Sequence, residues 1–68
     1  MRVYLRQSDD GGVDIEFLLQ PPYHGRAHGY AAPGEGYAGV PTSELRELLW
    51  IDLDDAGAVV HRERREPS

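Results

Sequence analysis

Three groups of residues in this 68-residue chain have types and spacings that could do chemistry: paired carboxylates, a histidine pair and a glycine run. Asp9-Asp10 and Asp54-Asp55 are adjacent acids, and general acid–base work by such a pair needs a cleft where burial or like charge raises one pKa. Both pairs fall at predicted turns, where Asp is common because its side chain caps the local backbone. His24 and His28 are four apart, the spacing that puts two imidazoles on one face of a metal-binding helix. Gly25, Gly29 and Pro21-Pro22 argue against a helix there, so the two are read as solvated loop histidines with no metal. Gly34-Glu35-Gly36-Tyr37-Ala38-Gly39 matches the dinucleotide fingerprint letter for letter. Its context is wrong: Pro41 stands between it and the next helix, and the chain cannot supply a βαβ unit. Ser8, Thr42, Ser43 and Ser68 are each explained by a turn, a cap or the terminus rather than by a nucleophile's role. The expectation is a protein that is not an enzyme and uses no cofactor.

The elements that would position these residues follow from apolar periodicity. Residues 1–20 read as a β-hairpin, with Val3 and Leu5 alternating against Arg2, Tyr4 and Arg6, and Val13, Ile15, Phe17 and Leu19 against Asp14 and Glu16. Placing both apolar sets on one face pairs Leu5 with Ile15 and Val3 with Phe17, leaving Gln7 opposite Val13, Arg6 opposite Asp14 and Tyr4 opposite Glu16. Residues 21–41 hold five Gly and four Pro with Tyr23, Tyr30 and Tyr37 among them. That composition supports neither strand nor helix for long, so a long loop is predicted. Pro41-Thr42-Ser43-Glu44 starts a helix over 42–49, with Thr42 or Ser43 as cap, Glu44 and Glu47 near the positive end of the dipole, and Leu45, Leu48 and Leu49 as the buried stripe. For residues 50–54 a helix running on to Leu53 competes with a strand. Alternation in Trp50-Ile51-Asp52-Leu53-Asp54 and the turn signal Asp55-Ala56-Gly57 favour a second hairpin over 50–65. In that register Leu53 faces Val59, Ile51 faces a partly buried His61 and Trp50 faces Arg62. Residues 66–68 form a frayed tail. The predicted fold is a single α+β domain: two hairpins making a small antiparallel sheet, one short helix on one face, and the Gly/Pro/Tyr loop between.

Charge supplies the functional signal. Twelve Asp and Glu stand against seven Arg, with no Lys and a net charge of −5. The acids gather in two blocks, Asp9, Asp10, Asp14, Glu16 and Glu44, Glu47, Asp52, Asp54, Asp55. Such a balance repels phosphate backbones and anionic lipid and favours a partner that presents Arg and Lys. Asp14 and Glu16 on one side of the hairpin, extended by Asp9 and Asp10 at its tip, would line an edge ~15–20 Å long. If Asp52 and Asp54 share that face, the blocks merge into one anionic surface able to take charge-assisted, bidentate hydrogen bonds from arginine. The competing reading scatters the acids over all solvent faces, neutralises Asp14 with Arg6 and leaves acidity as a device for solubility. Tyr30 and Tyr37, with Tyr23, form a second candidate contact set, since tyrosine gives large contact area at low entropy cost; alternatively they fold back over a thin sheet. Arg62, Arg64 and Arg65 alternate with Glu63 and Glu66, which argues against a nucleic-acid patch.

With no Cys there is no disulfide framework and no thiolate zinc site, and a chain this short buries only about 60% of its extended surface. Apolar runs such as Phe17-Leu18-Leu19 are far below the ~20 residues of a membrane span, so a cytoplasmic protein, monomeric or weakly dimeric, is expected. In size, charge and architecture the whole chain resembles the small phage-encoded inhibitors that disable CRISPR surveillance complexes, several of which imitate DNA. What the resemblance implies is a protein acting in the host-cell cytoplasm, its acidic blocks occupying an Arg/Lys-rich site that its partner reserves for DNA. Two alternatives remain: an antitoxin or immunity-type protein neutralising a cationic toxin, and a small ligand- or metal-binding accessory domain resting on His24, His28 and the Gly-Tyr loop.

Overall fold

A computed structural model describes residues 1–66. Alternation of apolar and polar side chains drives most of it. Five strands run in sequence, β1 (Arg2–Gln7), β2 (Val13–Leu18), β3 (Arg26–Ala31), β4 (Leu48–Leu53) and β5 (Val59–Arg64), with one helical turn, α1 (Thr42–Leu45), before β4. All pair antiparallel in one open sheet of order β3-β2-β1-β4-β5. The first hairpin has the register its apolar pattern requires, with Val3 opposite Phe17, Leu5 opposite Ile15 and Arg6 opposite Asp14. A one-residue slip would have turned every core side chain to solvent.

The α+β expectation is overturned, because the fold is essentially all β with a single four-residue helix. The helix predicted over 42–49 stops at Leu45. Leu48 already belongs to β4, where it is buried beside Ile51 and Leu53, while Leu49 is exposed rather than part of a helical stripe. Pairing with β5 along 48–53 and with β1 over 50–53 satisfies backbone groups that a short isolated helix could not match. The expected caps are also corrected. Pro41 is the N-cap residue, and no side chain caps the turn. Thr42 is instead buried, its hydroxyl accepting from the Gly36 N–H at 2.9 Å and donating to the Ala32 carbonyl at 3.3 Å, which ties the preceding loop to the helix.

The second correction lies in residues 21–41. This predicted loop contains the six-residue strand β3, paired with β2 from Val13↔Ala31 to Leu18↔Arg26. Its core-facing positions are Ala27, Gly29 and Ala31, too small to produce an apolar signal in the sequence. Gly29 has a steric reason: a Cβ there would meet the Phe17 ring at 3.0 Å. Phe17 thus supplies the bulk that β3 lacks, and Tyr37 closes over it edge-on at 5.8 Å between ring centroids.

The second hairpin forms with Leu53 opposite Val59 as expected, but register shifts between Asp52 and Leu53 and between Leu48 and Trp50 move the rest by one. Ile51 therefore faces Arg62 rather than His61, and Trp50 faces Glu63 rather than Arg62. His61, expected to be partly buried, is exposed. Of the predicted tail, Pro67 and Ser68 lie outside the described residues. Arg65 is anchored, donating to the carbonyls of Leu5 and Arg46, both at 2.7 Å.

The core occupies one face of the sheet. Val3, Leu5, Val13, Ile15, Ala31, Leu48, Ile51 and Leu53 are closed over by Val40 and Leu45 from the segment 32–47, with Phe17, Tyr37 and Val59 at its margin. Among the described residues no helix is long and apolar enough to cross a membrane. Removing one methyl group at a fully buried site, Ile51→Val, is expected to cost about 0.5–1.5 kcal/mol. Val60→Ala on the exposed edge strand should stay within about 0.5 kcal/mol. Urea denaturation followed by Trp50 fluorescence measures both.

Candidate functional site

The uncovered face of the sheet carries the polar half of every strand. Cross-strand rows run His28–Glu16–Tyr4–Trp50–Glu63 and Tyr30–Asp14–Arg6, with Arg2–Asp52–His61 on the β1–β4–β5 side. Asp14, Glu16 and Asp52, three of the four mid-strand acids of interest, therefore share one face. Asp54 does not join them. It closes the β4–β5 turn, accepting from the N–H groups of Ala56 at 2.9 Å and Ala58 at 2.8 Å.

Arginines interrupt what the sequence suggested was a continuous anionic surface. Arg26 bonds Glu16 at 2.8 Å, Arg2 bonds Asp52 at 3.3 Å, Arg64 lies 3.2 Å from Glu47 and Arg62 lies 3.7 Å from Glu44. Arg2 also lies over the Trp50 ring, 3.7 Å from its centroid, and His61 stacks against the same indole at 4.9 Å. This Arg2–Trp50–His61 group was not anticipated. Its members are far apart in sequence and meet only through the β1–β4–β5 pairing, so no local signal announces it. The bonded pair holds the Asp52 carboxyl below its usual range, with Arg2 as the main cause. Between Tyr4, Arg6, Asp14, Glu16 and His28 lies a basin of about 290 Å³ that Ile15 and Gly29 also line.

Four of the acids that escape arginine pairing collect at one corner, while Asp54 and Asp55 lie in the β4–β5 turn and Glu66 follows β5. Asp9, Asp10, Asp14 and Glu35 have no arginine within ion-pair distance among the described residues. Arg6 faces Asp14 across the ladder without closing the ion pair that would have neutralised it. Tyr30 organises this corner. Its hydroxyl donates to the Asp10 carboxylate, whose other oxygen accepts from the Gly12 N–H at 2.8 Å. Gly12 makes the reach feasible, because a Cβ there would lie 2.6 Å from both the Tyr30 Oη and the Ala31 carbonyl. Glu35 curls back to accept from the Ala32 N–H at 3.1 Å. Asp14 is the cross-strand neighbour of Tyr30. The Arg46 guanidinium sits beneath the hairpin tip, 3.0 Å from where a Gly11 Cβ would lie.

Electrostatics follow from this arrangement. The Asp10 hydrogen bond, partial desolvation and the field of Asp10, Asp14 and Glu35 push the Tyr30 hydroxyl up to about 12. Tyr30 in turn, with the Gly12 N–H, holds the Asp10 carboxyl below its ordinary value.

The other candidate contacts disperse. Tyr37 is half-buried against Phe17 and serves the core rather than the surface, Tyr23 is exposed near the β2–β3 turn, and Asp55 is exposed in the β4–β5 turn. That turn lies at the end of the sheet where Met1 meets Leu53, opposite the β1–β2 tip, so the two acidic blocks do not merge. Gly34, Gly36 and Gly39 have positive φ in tight turns around a Tyr37↔Val40 bridge, with no strand-to-helix crossover for a dinucleotide. Among the described residues no group of three His, Cys, Asp or Glu could hold a metal ion. Comparison with protein families, curated proteins and solved structures finds no match.

The Asp10–Tyr30 bond sets a pH dependence whose sign is fixed by the two shifts. Asp10, lowered in the folded chain, contributes stability above the ordinary carboxylate range that is lost as pH falls through its depressed folded value. Tyr30, raised, contributes stability below pH 10 that is lost as pH climbs toward about 12. In Asp10→Asn, the Tyr30 hydroxyl should titrate closer to the ordinary tyrosine value near 10, followed by NMR of its ring. An unchanged titration would mean the bond is not what holds the proton.

Proposed function

We propose that this protein is a non-enzymatic inhibitor that binds another protein and occupies a cationic site used by that partner for nucleic acid. The observation that carries the proposal is the corner of Asp10, Asp14 and Glu35 around Tyr30, with Asp9 next in the chain, where four carboxylates lie without arginine partners among the described residues, against two at the Asp54-Asp55 turn. Elsewhere Glu16, Asp52, Glu44 and Glu47 are each matched, so the contact surface is narrower than the full acidic content of the chain suggests.

The physical logic is electrostatic. Arginine and lysine side chains that grip phosphates also pair with carboxylates through charge-assisted hydrogen bonds. Asp10 is fixed by Tyr30 and Gly12, so a partner arginine meets an acceptor that has already lost its rotamer freedom, which lowers the cost of binding. Tyr30 adds an exposed ring beside the carboxylates, of the kind enriched at interface hot spots. A surveillance complex with a DNA-reading site, the partner implied by the resemblance to anti-CRISPR inhibitors, meets that description.

Capture of partners from the native host, followed by competition with DNA, tests the reading. Asp9→Asn/Asp10→Asn/Asp14→Asn should weaken capture at least about tenfold and flatten its decline with salt, while Glu44→Gln/Glu47→Gln stays near wild type. A triple variant that binds as tightly as wild type, or a captured partner that DNA does not displace, would contradict it.

A further inference from the structure

The two free edges of the sheet are protected very differently. On β5, the β4–β1 pairing sets the phase: Met1 and Leu53 exchange hydrogen bonds, which turns Asp52 and Trp50 toward β5 and leaves Arg62 and Arg64 with outward backbone groups. That edge carries two register shifts and a row of arginines, both common devices against edge-to-edge pairing. On β3, the Leu19 N–H to Gly25 carbonyl bond sets the phase. Phe17/Ala27, Ile15/Gly29 and Val13/Ala31 are then the hydrogen-bonded pairs with β2, and Arg26, His28 and Tyr30 aim their N–H and C=O groups at solvent. This six-residue edge has no proline, no bulge and one charged residue.

The edge is also electrostatically polarised along its length. Arg26 stands at one end, bonded through Nη1 to Glu16 of β2 at 2.8 Å with the other edge of its guanidinium outside that pair, and at the other end Tyr30 sits in the field of Asp10, Asp14 and Glu35. An antiparallel copy of the same strand presents those ends reversed. We propose that β3 is a self-association edge, pairing antiparallel with β3 of a second copy about a two-fold axis at His28 to make a continuous ten-stranded sheet. His28 then pairs with its symmetry mate, and Arg26 of each copy lies against Tyr30 and the anionic corner of the other. The residues with outward backbone groups are the ones that meet, so the hydrogen-bond phase of the two edges agrees without adjustment. The occupant is a second copy rather than an arbitrary peptide because the cationic half of the charge match, Arg26, stands on this strand and the anionic half, Asp10, Asp14 and Glu35, flanks its other end at Tyr30. A dimer built this way covers the corner offered to a partner above, so the two associations compete.

Sedimentation of the full chain across concentration, with amide exchange in parallel, tests this pairing. The 7.6 kDa chain should shift to twice its mass below about 1 mM, with protection growing at the amides of Arg26, His28 and Tyr30 and not at Arg62 or Arg64. Arg26→Glu should weaken association about tenfold or more. His28→Pro removes one outward donor without touching the β2 ladder and should abolish association if Trp50 fluorescence reports a folded chain; if it does not fold, Arg26→Glu decides. A wild-type chain that stays monomeric to about 1 mM, a dimer indifferent to Arg26→Glu, or protection confined to β5 would overturn the proposal.

Discussion

Everything in this molecule depends on closing one face of a single open sheet. Eight aliphatic side chains from four strands line that face, and the segment 32–47 covers them with Val40, Leu45 and Tyr37. No disulfide helps, and a domain of this size has little apolar area to spend. The covering segment is therefore held by specific polar contacts. Buried Thr42 bridges Ala32 and Gly36, and Arg65 reaches back to the carbonyls of Arg46 and Leu5. Because only one face is closed, the other is left to water, and every outward strand position becomes surface. The candidate site follows from that asymmetry rather than from any cleft.

Charge on that surface is sorted by strand pairing. Neighbouring strands place Arg2 beside Asp52 and Arg26 beside Glu16, while β5 and the residues before β4 match Arg62 with Glu44 and Arg64 with Glu47. Exposed pairs of this kind add only about 0–1 kcal/mol each to stability. Their larger effect is to match the carboxylates of Glu16 and Asp52 on this face and to leave Asp10 and Asp14 unmatched where Tyr30 crosses Gly12 to reach Asp10. The largest group of arginine-free carboxylates among the described residues is then at the tip of the first hairpin, with Asp54 and Asp55 a smaller one at the opposite end of the sheet.

The sequence was most legible where side chains alternate strongly. Val3, Leu5, Val13, Ile15 and Phe17 dictate the first hairpin residue by residue, and Leu53 opposite Val59 anchors the second. β3 was illegible because its core side is Ala27, Gly29 and Ala31, and the apolar bulk above it comes from Phe17 of the neighbouring strand. The helix was over-read because Leu45, Leu48 and Leu49 have helical spacing, although Leu48 is needed by the sheet. Bulges in the second hairpin moved Ile51 and Trp50 by one partner, a shift that side-chain pattern alone does not encode. Of the site, the acids of the hairpin tip were visible as a block. Tyr30 as their organiser was visible only as one of three loop tyrosines, and Glu35 as their companion had no signal, because both arrive through the unforeseen strand.

The most direct measurement is the hydrogen-exchange footprint of a captured partner on this chain. Contact through the hairpin-tip corner predicts slowed exchange in residues 9–14 and 30–35, with the β4–β5 turn unchanged. Protection centred instead on Trp50, His61 and residues 54–57, with the hairpin tip still exchanging freely, would contradict it.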